Sequence, residues 1–248
     1  MNADTDSVEI LGIPIARLTS EAALQEVERL CEAAAPAQIY YANAHSLNLA
    51  VADPDYRAAV LRAAMVLNDG AGIALAARLQ GTSFPANLNG SDFNPLIAEL
   101  AATRGWSVYL LGAKPGVAER AARMLEERMP GLQIAGARDG YFDSEATDEV
   151  VGAVRATDAD VVMVAMGNPH QELWLDRHLV ATGARLGVGV GAWFDFVTGN
   201  VPRAPAWMNR LGIEWFFRLY QEPSRLWRRY LIGNPLFLWR VLRRRITS

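Results

Sequence analysis

From Val8 as far as Gly191, short apolar runs alternate with Ala-, Leu- and Arg-rich stretches of helical period. That alternation leaves few folds open. Each helix must carry the chain back across one sheet, which makes the strands mostly parallel and covers both faces with helices. The expected class is therefore α/β. Val8–Ile10 and Ile13–Ile15 flank Gly12 as a small hairpin, and Ser20–Ala34 is a helix with Thr19 or Ser20 at its cap. Core strands are expected at Ile39–Ala42, Ala64–Leu67, Ser107–Leu111, Leu132–Ala135, Asp160–Ala165 and Leu186–Val190. Helices are expected at Gly72–Leu79, Asp92–Thr103, Gly116–Arg128, Ser144–Ala156 and Gln171–Ala181. Beyond Gly191 the alternation stops, and the chain reads as short helices broken at Pro202, Pro205, Pro223 and Pro235.

Charge divides the chain at the same place. Residues 1–202 carry 14 basic and 25 acidic side chains, a net of −11, whereas residues 203–248 carry ten arginines against Glu214 and Glu222, a net of +8. The basic stretch also holds nine of the 22 aromatic residues, among them Trp207, Trp215, Trp227 and Trp239. Arginines interleaved with indoles suit an anionic membrane surface, where guanidinium meets lipid phosphate and the ring sits at headgroup depth. The expected organisation is a catalytic domain over 1–200 and a basic, helical, membrane-docking appendage over 201–248. A basic subdomain packed on the acidic body is the plainer alternative. Cys31 alone makes no disulfide framework, and three histidines are too few for a Cys/His metal cluster. The N-terminus lacks the features of a secretory signal, and no apolar run reaches the roughly 18 residues that span a bilayer. The expectation is a reducing, cytoplasmic setting and chemistry without metal or other cofactor.

Ligands of an open parallel sheet sit beyond the carboxyl ends of its strands. Four such loops are polar or glycine-rich. Asn43-Ala44-His45-Ser46 follows the first core strand, and Asn43 is either a helix cap or a binding group. Asn68-Asp69-Gly70 puts a carboxylate at a strand end with a helix behind it, where a general base is wanted. Leu111-Gly112-Ala113-Lys114-Pro115-Gly116 precedes a helix N-terminus suited to an anion, although it is neither a Walker A loop nor a dinucleotide fingerprint. Met166-Gly167-Asn168-Pro169-His170-Gln171-Glu172 supplies more polar groups than a helix cap needs. Asp195, set between aromatics, either caps Thr198–Gly199 or holds an arginine of the tail.

Taken together, these segments resemble the WecG/TagA/CpsF family, glycosyltransferase family 26. The ordered matches include Leu11-Gly12, Asn68-Asp69-Gly70 with Gly72, Gly90-Ser91-Asp92, Gly140-Tyr141-Phe142, Gly167 to Glu172, Phe194-Asp195 and Arg203-Ala204-Pro205. They continue through Glu214-Trp215 with Arg218 and Glu222-Pro223 with Arg225, Arg228, Arg229 and Tyr230, and span about nine-tenths of the chain. The resemblance implies a Rossmann-like core and an inverting, metal-independent transferase. Its partners would be a UDP-sugar donor, of the N-acetylmannosamine or glucose type, and a polyprenyl-pyrophosphate-linked sugar acceptor. The pathway would be cell-surface polysaccharide biosynthesis at the inner face of the cytoplasmic membrane. It casts Asp69 as the catalytic base. Asn43, Gly70, Asn168, Gln171, Glu172, Asp195, Arg218, Arg225 and Arg228 are the expected substrate-binding residues. Two departures stand out: Asn87-Leu88-Asn89-Gly90 replaces the usual Arg-Val-Thr-Gly, and Tyr41 stands where a Thr is common.

Two rival classes are weighed against this. A nicotinamide-dependent oxidoreductase would need Gly-x-Gly-x-x-Gly opening a helix after the first strand, which is absent. The other is a non-enzymatic binder whose basic tail holds nucleic acid or membrane, and for nucleic acid the acidic body argues against it. Self-association into a homo-oligomer is left open.

Overall fold

The computed structural model describes residues 6–205, 208 and 214–247, without the side chains of 214, 225 and 245–247. Trp207 of the tail therefore lies outside the described residues. Strands β1 (Ser7–Ile10) and β2 (Ile13–Ala16) form the antiparallel hairpin, Ile10 opposite Ile13. Leu11 and Gly12 both have positive φ, the geometry of a tight hairpin turn. The Arg57 guanidinium donates to both their carbonyls, at 3.0 and 3.1 Å, and a side chain at Gly12 would collide with it.

The main sheet has six parallel strands: β3 (Ala37–Ala42), β4 (Met65–Asn68), β5 (Ser107–Gly112), β6 (Gln133–Arg138), β7 (Val161–Ala165) and β8 (Leu186–Gly189). Their order is β4-β3-β8-β7-β5-β6. One face carries α1 (Ser20–Glu32), α5 (Gly90–Arg104), α6 (Val117–Arg128) and α9 (Trp193–Val197), packed through Val27, Phe93, Ala121 and Phe194. The other carries α2 (Ala44–Ala52), α3 (Pro54–Arg62), α4 (Ala71–Leu79), α7 (Thr147–Arg155) and α8 (His170–Thr182), with Leu47, Tyr56, Ile73, Val150 and Leu175 inside. Side chains alternate between these two cores along each strand: Ile39 and Tyr41 enter one, Tyr40 and Ala42 the other. This is the doubly covered parallel sheet that the alternation of runs requires.

Helices α2 and α3 escape the sequence reading. Ala44–Ala52 is short, and its polar His45, Ser46 and Asn48 are spread around the helix, so it shows no clear apolar face. What makes it a helix is the capping box of Asn43 and Ser46. Asp53 then ends it and caps α3 by accepting from the Asp55 and Tyr56 amides, at 2.9 and 3.1 Å.

After the sheet come α10 (Glu214–Gln221), α11 (Pro223–Trp227), a π-helical turn (Arg228–Ile232) and α12 (Gly233–Thr247). The expected break at Pro235 does not occur. The proline lies inside α12, and the preceding turn, whose bonds span an extra residue, carries the backbone past its ring. Asn48 Nδ2 donates to the Gly233 carbonyl at 2.7 Å. Helix α12 packs on α2 and α4 through Phe237 and Val241, both buried in the second core. Arg240 donates to the Asn48 side chain at 2.8 Å, and Arg244 pairs with Glu9 at 3.0 Å. No helix among the described residues is long and apolar enough to cross a membrane.

Candidate active site

The register of β3 on β4 sets Ala42 opposite Asn68, so Asn43 and Asp69 leave the sheet side by side. The Asp69 amide donates to the Ala42 carbonyl at 2.8 Å, and Asn43 Nδ2 donates to Asp69 Oδ2 at 3.2 Å. The other end of the Asn43 amide caps α2, its Oδ1 accepting from the His45 and Ser46 amides at 3.1 and 3.0 Å. Asn43 is thus a helix cap through its oxygen and a partner of Asp69 through its nitrogen. Gly70 follows at φ +89°, a conformation that favours glycine, and turns the chain directly into α4. Removal from water raises the Asp69 carboxyl above its ordinary range. The Asn43 donor and the charges of Arg229 and Arg218 oppose that rise, and Asp92 adds to it. A carboxylate in such surroundings is a stronger base than an exposed one.

The loops after β7 and β8 form the facing wall. Gln171 Oε1 accepts from the Gly167 amide at 3.1 Å and the Gly191 amide at 3.0 Å, tying the two loops together. Beneath it Glu172 is 0% exposed. Glu172 Oε1 accepts from Asn168 Nδ2 at 2.6 Å and Gln171 Nε2 at 2.8 Å, and Tyr40 donates to its backbone carbonyl at 3.1 Å.

Burial pushes the Glu172 carboxyl up to about 7, against the pull of these amide donors. The phenols of Tyr40 and Tyr56, which face it from β3 and α3, are themselves held neutral, chiefly by burial. An unfolded chain gives up this proton near the ordinary 4.5, so the folded state binds more protons between the two values. The stability it contributes is complete below about 4.5 and is lost as pH rises through about 7. Glu172→Gln should flatten that fall and melt higher than the wild type near pH 8, by as much as about 3 kcal/mol if the whole shift is felt. Denaturation midpoints measured across that range check it; parallel curves for the two proteins would refute it.

The tail closes the mouth. Arg218 on α10 lies over the Phe196 ring at 5.4 Å, and Trp215 packs on Tyr230 at 5.9 Å. Arg229, on the π-helical turn, directs its charge at Asp69 and also at His45. Burial first, and then Arg229, lowers His45 to about 4, which leaves a neutral imidazole at neutral pH. Asp92, on the first turn of α5, pairs with Arg203 and accepts from Asn89 Nδ2 at 2.8 Å. Burial would raise its carboxyl, but those two partners outweigh it and hold it below the ordinary range. Asp195 accepts from Asn200 Nδ2 at 3.3 Å, while its carbonyl accepts the Val201 amide at 3.2 Å. It fastens the turn that leads out of the cleft.

All of this surrounds one cleft of about 1320 Å³ at the carboxyl ends of the strands. Single-ligand pockets run to about 1,000 Å³, so there is room for two substrates. Of the residues read from the sequence, the cleft is lined by Asn43, Asp69, Gly70, Asn168, Gln171, Asp195 and Arg218. Glu172 lies under the wall and not on it. Arg228 is exposed, its guanidinium over the Trp227 ring at 5.2 Å, outside the lining. The Arg225 side chain lies outside the described residues. His45, Asp92 and Arg229 also line the cleft, beyond the binding residues expected from the sequence. A helical phase set on Leu226 and Tyr230, both buried, would have turned Arg229 inward in preference to Arg228. Among the described residues, no group of three or more His, Cys, Asp or Glu side chains is placed to hold a metal ion.

The model of the glycosyl transferase WecG/TagA/CpsF family matches residues 8–248. The chain is 32% identical over 194 residues to the N-acetylglucosaminyldiphosphoundecaprenol N-acetyl-beta-D-mannosaminyltransferase of Bacillus subtilis, covering 78% of this chain and 74% of that one. It is 31% identical, over the same shares, to the enzyme of that name from Bacillus spizizenii.

Proposed function

The chain belongs to the WecG/TagA/CpsF family and is a glycosyltransferase, and from that premise we propose that it transfers an N-acetylmannosamine- or glucose-type hexose from a UDP-sugar, with inversion and without metal, to a polyprenyl-pyrophosphate-linked sugar. One observation carries this reading. A carboxylate of raised basicity, Asp69, shares a cleft with two arginines, Arg218 and Arg229, whose charges both reach it. Asp69 takes the proton of the acceptor hydroxyl as its oxygen attacks the anomeric carbon. The bond from that carbon to the UDP oxygen breaks on the opposite face, and the departing pyrophosphate leaves its charge against the two guanidinium groups. Asn43 steers the carboxylate. Gln171 and Asn168 furnish the wall for the sugars, and Asp195 holds the turn at its edge.

The site is the inner face of the cytoplasmic membrane, reached through the appendage over 201–248. Support comes from an outward row on the π-helical turn and α12, where Leu231, Leu236, Trp239 and Leu242 are all at least 37% exposed. Arg243 lies over Trp239 at 5.3 Å, so cation and indole share that surface. Such a surface docks on anionic headgroups without spanning.

The experiment is transfer from UDP-N-acetylmannosamine to a synthetic lipid-diphosphate-linked N-acetylglucosamine, in excess EDTA, with the product's anomeric configuration read by NMR. Full activity and a product of inverted configuration are expected. Activity lost on chelation and restored by Mg²⁺ or Mn²⁺ would overturn the metal-free part, and a retained configuration would overturn the single displacement.

A further inference from the structure

The Asn168–Gln171–Glu172 cluster places a carboxyl group where no substrate reaches it. Glu172 is fully buried and does not line the cleft, and its Oε2 has no hydrogen-bond partner. Its Oε1 instead takes the amide nitrogens of both neighbours that do line the cleft. An amide has two ends, and fixing one decides the other. Gln171 can tie Gly167 to Gly191 only with its oxygen, because both loops offer it N–H groups. Its nitrogen must then find an acceptor, and Glu172 is that acceptor. Asn168 Nδ2 is likewise committed, to Glu172 and to the Tyr56 hydroxyl at 3.3 Å, so the group it has left for a ligand is its carbonyl oxygen.

We propose that Glu172 is a positioning residue: through Gln171 it locks the loops after β7 and β8 together, and through Asn168 it presents a hydrogen-bond acceptor to the cleft. The wall at Asn168 then selects substrate groups that donate, sugar hydroxyl or N–H, and disfavours phosphate oxygens, which only accept. The pyrophosphate is thereby directed towards the arginines of the tail. The packing leaves Gln171 little freedom to reorient, since a Cβ at Gly189 would lie 2.8 Å from its Nε2.

This inference rests on the transferase reading for its kinetic arm only. Glu172→Gln keeps an oxygen for both donors and should leave the donor KM within about threefold of the wild type. Glu172→Met, of similar length and apolar, removes the acceptor. It should raise the donor KM about tenfold or more while kcat at saturation changes less, and hydrogen exchange at the Gly167 and Gly191 amides should accelerate by a similar factor. Glu172→Leu is made alongside it, so that failure of one to melt cooperatively leaves the other to decide. A folded Glu172→Met or Glu172→Leu protein with unchanged exchange at Gly167 and Gly191 overturns the proposal. So does a Glu172→Gln enzyme that loses turnover at unchanged KM, because the carboxyl would then be a chemical participant. Exchange is read without substrate; if the wild type transfers nothing, the function falls and this test still stands.

Discussion

Asp69→Asn should lower turnover by at least about 100-fold, the scale of general-base catalysis, with the donor KM nearly unchanged. The substitution is close to isosteric, and an amide oxygen can still accept from Asn43 Nδ2, which now gives 3.2 Å to Asp69 Oδ2. The backbone is held independently by the Asp69 amide on the Ala42 carbonyl, so the fold and the cleft should survive. The variant should also lose a limb of the pH profile. Desolvation raises the Asp69 carboxyl, and the base works only when ionised, so wild-type turnover falls as pH drops through that raised value. Stopped assays over pH, with a melting curve for each protein, test both points. Near-normal turnover in the variant would remove Asp69 from the chemistry.

Larger still is the expected effect of Arg218→Ala with Arg229→Ala. Each arginine comes from a different element, α10 and the π-helical turn, and the charges of both reach Asp69. Losing one group that stabilises transition-state charge costs about 10²- to 10³-fold in kcat, so the pair should cost about 10³-fold or more. Arg218 packs on Phe196 and Arg229 sits beside buried Tyr230, so some loss of packing is expected in the melting temperature. The kinetic loss should far exceed it. The control is Arg228→Ala, whose guanidinium lies over Trp227 outside the cleft and which should keep kcat for a water-soluble acceptor. A double variant that turns over within tenfold of the wild type would remove the arginines from the leaving group. Point substitutions serve better than removal of the tail, which would also uncover the seats of Phe237 and Val241 in the core.

The sheet and the loops at its carboxyl ends were legible because their signals are local: an apolar run of strand length, then Asn, Asp or Gly. The position of Asp69 at a strand's carboxyl end is legible in that way. What the local pattern hides is side-chain direction, which burial and packing decide. Glu172 counted as surplus polarity, yet only its burial under β3 and α3 shows that it serves its neighbours. Arg228 and Arg229 are adjacent in sequence, and the choice between them is made by helical phase. The π-helical turn blurs that phase, because it breaks the even rotation of an α-helix. Asn43 reads as a cap or a binding group, and the two ends of its amide make it a cap and a partner of Asp69.

The cleft is completed by residues far along the chain. Asn43 and Asp69 follow β3 and β4, the first two strands of the main sheet in chain order, whereas Arg229, Tyr230 and Phe237 arrive only with the π-helical turn and α12. Synthesis proceeds from the N-terminus, so Asp69 leaves the ribosome before Arg218 and Arg229 do. A nascent chain that has already exposed Asp69 therefore holds an acidic half-site with no counter-charge from Arg218 or Arg229. The docking of α12 on α2 and α4, with Arg244 reaching back to Glu9 on the opening hairpin, can form only after the whole sheet has been made. The carboxylate thus leaves the ribosome before the charges that balance it, and the helix that ties the opening hairpin to the cleft follows both.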